Sequence, residues 1–246
     1  MKPNDQSNRL WIAMALLLIA AGIAYGADIR GRISHTATDG SLRSESGGSA
    51  VVWLTPLSGQ MASSPNSPPT SSRHVTLLQK NKRFDPHILV VEVGSIVDFP
   101  NQDPFFHNVF SLFEGKRFDL GLYEAGSTRS VRFDRPGICY IFCNIHSQMS
   151  AVVIVVNTPY FAATKKSGEF EILGVAPGRY LMNVWAERCV PKTLKELSRE
   201  LTIGDETAVL GTIRLPECRE AVSLHQNKYG KTYDPEVFSN PAYTQR

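Results

Sequence analysis

The run PGICYIFCNIHSQMSAVVIVV spans residues 136–156. It divides into three parts: a short β-rich run ending CYIFC, a polar loop, and SAVVIVV, seven residues of which the last six in succession are alanine or β-branched. Runs of this length and composition, bounded by turn residues, read as strands. The loop between them carries Cys143, His146 and Met149 at spacings of three. Upstream, FPNQDPFFHNVFSLF (99–113) places His107 at the start of another apolar run, 36 residues before Cys143.

The same texture extends outward. HVTLLQ, HILVVEVG, SIVDFP, HNVFSLF, RSVRFD, CYIFC and SAVVIVV all lie between His74 and Val156, separated by Gly, Pro, Asn and Asp. Many short strands at regular spacing predict an all-β sandwich or barrel. No amphipathic helix of useful length is legible there.

The flanks differ in composition. Lys2 and Arg9 precede the unbroken apolar run Leu10–Ala24, which is followed by Ala24-Tyr25-Gly26. A basic start, a short apolar stretch and small residues predict a secretory signal peptide over 1–26, cleaved after Gly26. Fifteen apolar residues fall short of the roughly 20 that span a bilayer. No stable membrane anchor is expected after cleavage, and a periplasmic location is. Residues 27–72 hold two short strands, ADIRGRI and SAVVWLTP, followed by the Ser/Pro-rich linker 58–72. Residues 157–217 contain YFAATKKSGEFEIL, which reads as a hairpin with Ser167-Gly168 in its turn, then GVAPGRYLMNVW with a second turn at Pro177-Gly178, and the strand-like runs RELTIG and TAVLGTIRL. VPKTLKELS (190–198) leaves room for one helical turn, and 218–246 is a polar tail expected to drape over the surface.

Composition narrows the function classes. The chain has 246 residues and is 42% hydrophobic, enough for a sizeable core and against wholesale disorder. Its net charge of +3 is too small an excess for an electrostatic nucleic-acid binder. Cys189 and Cys218 bracket the last strands. In an exported protein they make a natural disulfide pair, closing a loop of about 30 residues. Two free thiols are the alternative.

Thiolate and thioether donors suit copper, and imidazole suits both of its common oxidation states. Two His and one Cys with a weak axial Met constitute a type 1 electron-transfer site. At this point the residues reach a family. Residues 73–156, with FDPHILVVEVGSIVDFPNQDPFFHNV and CNIHSQM, resemble a cupredoxin of the plastocyanin and amicyanin kind, a Greek-key β-sandwich. The resemblance implies one copper per chain. It makes His107 and His146 the imidazole ligands, Cys143 the thiolate and Met149 the axial thioether. Asn108 would brace the copper loop by hydrogen bonds. Ser147 stands where relatives often have proline. The implied function is an exported carrier of single electrons between redox protein partners, not an enzyme. Copper storage or delivery, or an interaction module with a structural copper site, are the alternatives.

Cys139 precedes Cys143 by four on one strand face, too far for an easy disulfide. It reads as a small buried hydrophobe. The sharper reading is a second thiolate, since Cys-x3-Cys resembles the dinuclear loop of cytochrome oxidase subunit two, although the spacing to the His is one residue short. His87 reads as structural or surface, and His35, His74 and His225 as solvated.

GEFEILGVAPGRYLMNVW (168–185) resembles a transthyretin-like repeat of carboxypeptidase regulatory domains. That family opens with strands matched here by GRI (31–33) and SAVVWL (49–54), which lie before the cupredoxin-like segment. The resemblance implies a second, smaller β-sandwich into which residues 73–156 are inserted. The alternative is an N-terminal extension, with the small sandwich lying wholly behind the copper domain.

Overall fold

β-Strands account for nearly all regular structure in the computed structural model, which describes residues 26–36, 42–43, 50–57, 73–112, 115–187, 189–215 and 226–232. The signal segment, the 58–72 linker, Cys218 and His225 lie outside the described residues. The strands are β1 (Ala27–Thr36), β2 (Leu42–Arg43), β3 (Ala50–Pro56), β4 (His74–Thr76), β5 (Leu78–Lys80), β6 (Arg83–Asp85), β7 (Ile88–Glu92), β8 (Ile96–Pro100) and β9 (His107–Ser111). They continue with β10 (Phe118–Tyr123), β11 (Thr128–Arg132), β12 (Gly137–Phe142), β13 (Ser150–Val156), β14 (Phe161–Ala163), β15 (Glu169–Val175) and β16 (Gly178–Ala186). Helix α1 (Pro191–Glu196), with proline in its first turn, precedes β17 (Arg199–Ile203) and β18 (Ala208–Leu215).

Pairing sorts these strands into two groups. The first contains the sheet β10-β9-β12-β13-β7, the sheet β11-β8-β4 and the hairpin β5-β6. The second contains β15-β1-β18, with β2 on β1, and β14-β3-β16-β17. Strands β1 and β3, from the start of the chain, therefore pair with strands that follow residue 160. Everything from β4 to β13 pairs within itself. The chain begins in one sandwich, builds the other, and returns.

Each group closes on an apolar core. Leu77, Phe99, Val109, Phe133, Ile141 and Val153 centre the first. Ile29, Leu54, Ile172, Met182, Trp185 and Leu215 centre the second. Strand β13 explains why SAVVIVV lacks polar alternation. Ala151, Val153 and Val155 face the first core, while Val152, Ile154 and Val156 pack into the second. A strand covered on both faces needs apolar residues at every position. Burying one such Val or Ile contributes roughly 1.5–3 kcal/mol, so this strand glues the two sandwiches as well as filling them. Ile88, Val90, Ile138 and Tyr140 extend the shared face.

Local chemistry sets the turns. The Ser167-Gly168 turn bonds Gly168 N–H to Lys165 O, and Gly168 has φ +80°. A Cβ at that position would lie 2.2 Å from Ile33 O on β1, so only glycine fits. Three details depart from the sequence reading. The two arms read as one hairpin about Ser167-Gly168 pair apart, β14 with β3 and β15 with β1, in different sheets. β1 runs beyond ADIRGRI through Ser34 and His35 to Thr36. β10 went unread because Gly121, at φ +68°, bulges it and interrupts its alternation.

Candidate metal centre

Register brings the site together. β12 pairs with β13, and Phe142 pairs with Phe110 on β9. Cys143 leaves the end of β12 and His107 opens β9. The loop between Cys143 and Ser150 is closed by its own backbone. Cys143 N–H donates to Met149 O at 3.1 Å, and Met149 N–H donates to His146 O at 3.0 Å. Two short bonds thus hold a seven-residue loop between stiff strands.

His107, Cys143 and His146 meet in the interior, with one donor atom from each within 4.8 Å of the others. Cys143 Sγ lies 3.8 Å from His107 Nδ1 and 3.5 Å from His146 Nδ1. The two imidazole rings are 4.9 Å apart. A first-row metal ion bonded at about 2.0 Å to nitrogen and about 2.3 Å to sulfur would see donors 3.5 and 3.8 Å apart at roughly 110–125°. The donor set and its spacing therefore fit a trigonal or tetrahedral ion. Met149 is fully buried in the same core and held by the loop's backbone bonds.

Burial makes these groups poor proton carriers. It pushes the Cys143 thiol up, against the backbone N–H groups of Asn108, Ile145 and His146 that favour the thiolate. Burial first, then the charges of His107 and Lys82, brings His146 down to about 4. Burial likewise lowers His107. A cation is what would stabilise a thiolate between two neutral imidazoles.

Asp103 was not singled out in the sequence, yet it organises the centre. Its Oδ2 lies 2.8 Å from His107 Nε2. Burial alone would raise this carboxyl, but amide bonds from Lys82 and Asn81 and the bond from His107 hold it below its ordinary value. An ionised Asp103 accepts the proton of Nε2, which leaves the Nδ1 lone pair facing Cys143. Such a carboxylate fixes both tautomer and ring orientation of a ligating histidine. Asn101 holds the turn, accepting from Asp103 N–H at 3.0 Å and donating to Phe105 O at 2.8 Å. The available signal was a carboxylate four residues before His107 inside a Pro- and Asn-rich turn.

Asn108 is buried, and its side chain donates to Asp119 at 2.7 Å and to Gly121 O at 3.0 Å. It thus braces β9 against β10, while its backbone N–H faces the Cys143 sulfur. The ligand loop is held from elsewhere. Lys228 N–H donates to Asn144 Oδ1 at 2.9 Å, and Lys228 Nζ donates to Asp119 at 2.7 Å. Part of the polar tail is therefore a strap across the loop.

Phe105 packs on both rings, 5.2 Å from His107 and 5.6 Å from His146. Phe105 is buried, whereas Phe106 is 49% exposed and Ile145 half-buried. His146 is 6% exposed, so the outward face of the centre is aromatic, not imidazole.

The remaining candidates separate cleanly. Cys139 is a free thiol outside the triad, pushed up to about 11 by burial. A Cβ built on Gly115 would lie 2.8 Å from its sulfur, so Cys139 packs against that glycine. Cys189 is disulfide-bonded, whereas Cys139 and Cys143 carry no disulfide. His74 pairs with Asp98 at the surface, and His87 with Glu187. No described helix is long and apolar enough to cross a membrane.

No family model and no curated protein matches the sequence. Several solved structures do. A copper-containing nitrite reductase from Thermus scotoductus is 25% identical over 33% of this chain and 22% of its own, with a TM-score of 0.32. A purple cupredoxin from Nitrosopumilus maritimus is 22% identical over 34% of this chain and 99% of its own, at 0.31. A reduced amicyanin variant is 20% identical over 34% of this chain and 82% of its own, at 0.32.

Proposed function

We propose that this protein is an exported, mononuclear type 1 copper protein that carries single electrons between redox protein partners. His107, Cys143 and His146 would hold the ion, joined by the thioether of Met149. Bound there, copper supplies a one-electron couple between its +1 and +2 states. The chain's own part is to keep the ligands still. The strands fix His107 and Cys143, the backbone bonds of the loop fix His146, and Asp103 fixes the His107 tautomer. Residues that do not move when charge changes keep reorganisation small.

The observation that carries this reading is the triad itself, three donors of the right softness in the interior of a rigid sandwich. Burial also weighs against storage or delivery, because a donor protein must offer its ion to a receiver. Export through residues 1–26, and insertion of residues 73–156 into a transthyretin-like sandwich, belong to the same proposal.

The test is a Cu(II) titration followed by visible absorption and electron paramagnetic resonance. One equivalent per chain, an intense visible band and a narrow copper hyperfine splitting are expected. Binding with no intense band would sink the type 1 assignment. Two coppers per chain with a mixed-valence signal would bring Cys139 back as a ligand.

A further inference from the structure

The β5–β6 hairpin sits against the metal centre and is built against local preference. Its tip reads Lys80-Asn81-Lys82-Arg83. Asn81 and Lys82 both have φ +55°. A two-residue hairpin turn of this kind favours glycine at the second position, and a lysine there is held in a left-handed conformation that L-residues avoid. Lys80 and Arg83 face each other across the hairpin, and like charges directly opposite are unfavourable. None of the three cations forms an ion pair with a described residue. Elsewhere the protein places opposite charges at such positions, as in Arg30↔Glu171 and Arg32↔Glu169.

These features point outward but are anchored inward. The amides of Asn81 and Lys82 donate to Asp103 at 2.6 and 2.9 Å, and Asp103 holds His107. Lys82 Nζ lies 5.3 Å from the centre of the Phe105 ring, which packs on both histidines. Exposed Phe106 is next in the chain, and exposed Arg129 lies 5.9 Å over the Tyr123 ring, on the strand position opposite His107. Backbone strain and unpaired like charges, gathered at one tip beside a candidate site, call for a ligand that supplies the missing charge.

We propose that Lys80, Lys82 and Arg83 form a docking site for a protein that presents a cluster of carboxylates, seating it against the Phe105–Phe106 edge. Its purpose, alignment of a redox partner with the centre, rests on the copper reading; the docking itself does not.

The experiment follows backbone amide shifts of the isotope-labelled, metal-free protein during titration with a decaglutamate peptide. Shifts are expected at residues 80–83 and at Asp103, and the affinity should weaken as salt is raised. Lys82→Gly relaxes the turn while removing the charge. It should leave the thermal midpoint unchanged or higher yet weaken the peptide about three- to tenfold. Lys195→Gln, on the short helix of the other sandwich, should bind as the wild type does. Shifts spread evenly over the surface, unaltered binding by Lys82→Gly, or a fall in its thermal midpoint would overturn the proposal. So would binding of phosphatidylglycerol vesicles at the tip with no binding of the peptide, which would assign the tip to an anionic membrane. A copper titration of the same sample separates the two readings, since absence of an intense band would leave the peptide result standing.

Discussion

The two sandwiches are built from similar strands and spend their polar residues differently. Of the ten buried polar side chains among the described residues, eight lie between Gln79 and His146. The other sandwich contributes Ser34, while Thr158 sits where the chain re-enters it. One core is apolar nearly throughout, with its cross-strand charges matched on the surface. The other takes two histidines, an aspartate and two asparagines out of water around a thiol. Buried polar groups cost stability unless paired, so a sandwich that gathers most of them around one thiol is shaped for something other than stability. The apolar partner then supplies the stability, through the strand the two share.

That contrast predicts where damage will be local and where it will spread. The largest effect is expected from Cys143→Ser. Type 1 colour arises from the thiolate, so the intense visible band should vanish, while far-ultraviolet circular dichroism stays that of the wild type. A variant that kept the band would show that the thiolate is not the metal's ligand.

Ile154→Ala should act on stability instead. Ile154 lies on the face of β13 that packs into the second core, opposite the face that reaches the metal end. A large-to-small change at such a site costs about 2–5 kcal/mol. Because the strand belongs to both cores, chemical denaturation should move as one transition to lower denaturant, whether followed by far-ultraviolet signal or by metal release. Two separate transitions would mean that the sandwiches are stable independently.

Asp103→Asn falls between these. It keeps the shape but loses the charge that accepts the His107 proton and the two hairpin amides. Removing an outer partner of this kind typically lowers metal affinity about 10–100-fold. Competition with a chelator of known affinity measures it. Unchanged affinity would reduce Asp103 to a turn residue.

Much of this was legible in sequence, for physical reasons that differ between residues. The strands from His74 to Val156 announced themselves through β-branched runs and turn residues. Cys143, His146 and Met149 did so through spacing on one loop, which is local information. His107 was found at a distance of 36 residues only because its donor type and apolar context completed the set. Asp103 and Lys228 escaped because nothing local marks them. Each matters through a contact made by tertiary folding, Asp103 with His107 and Lys228 with Asn144. β10 was missed because a bulge at Gly121 breaks the period that sequence reading relies on. The exposure of Phe106, rather than of His146, also follows from packing that no pattern encodes.

The smallest expected effect lies at the seam. His87, just before β7, pairs with Glu187, just after β16, at 2.8 Å, and its Nδ1 lies 3.1 Å from Ser150 O. The bond from Glu187, outweighing the opposing effect of burial, raises His87 above its ordinary value of 6.5. A histidine raised on folding stabilises the fold when protonated. Its contribution is complete below 6.5 and fades as the pH rises through the folded value. Both side chains are partly in water, at 47% and 31% exposure, so the pair is screened. The thermal midpoint of the wild type should exceed that of Glu187→Gln by about 1–3 °C at pH 6, and the gap should close by pH 8.5. Glu187→Gln preserves a hydrogen-bonding group, so the comparison isolates the charge. A gap that stayed constant across that range would mean that Glu187 acts without the charge on His87, and no gap at all would leave the apolar face of β13 to hold the sandwiches together with no help from this pair.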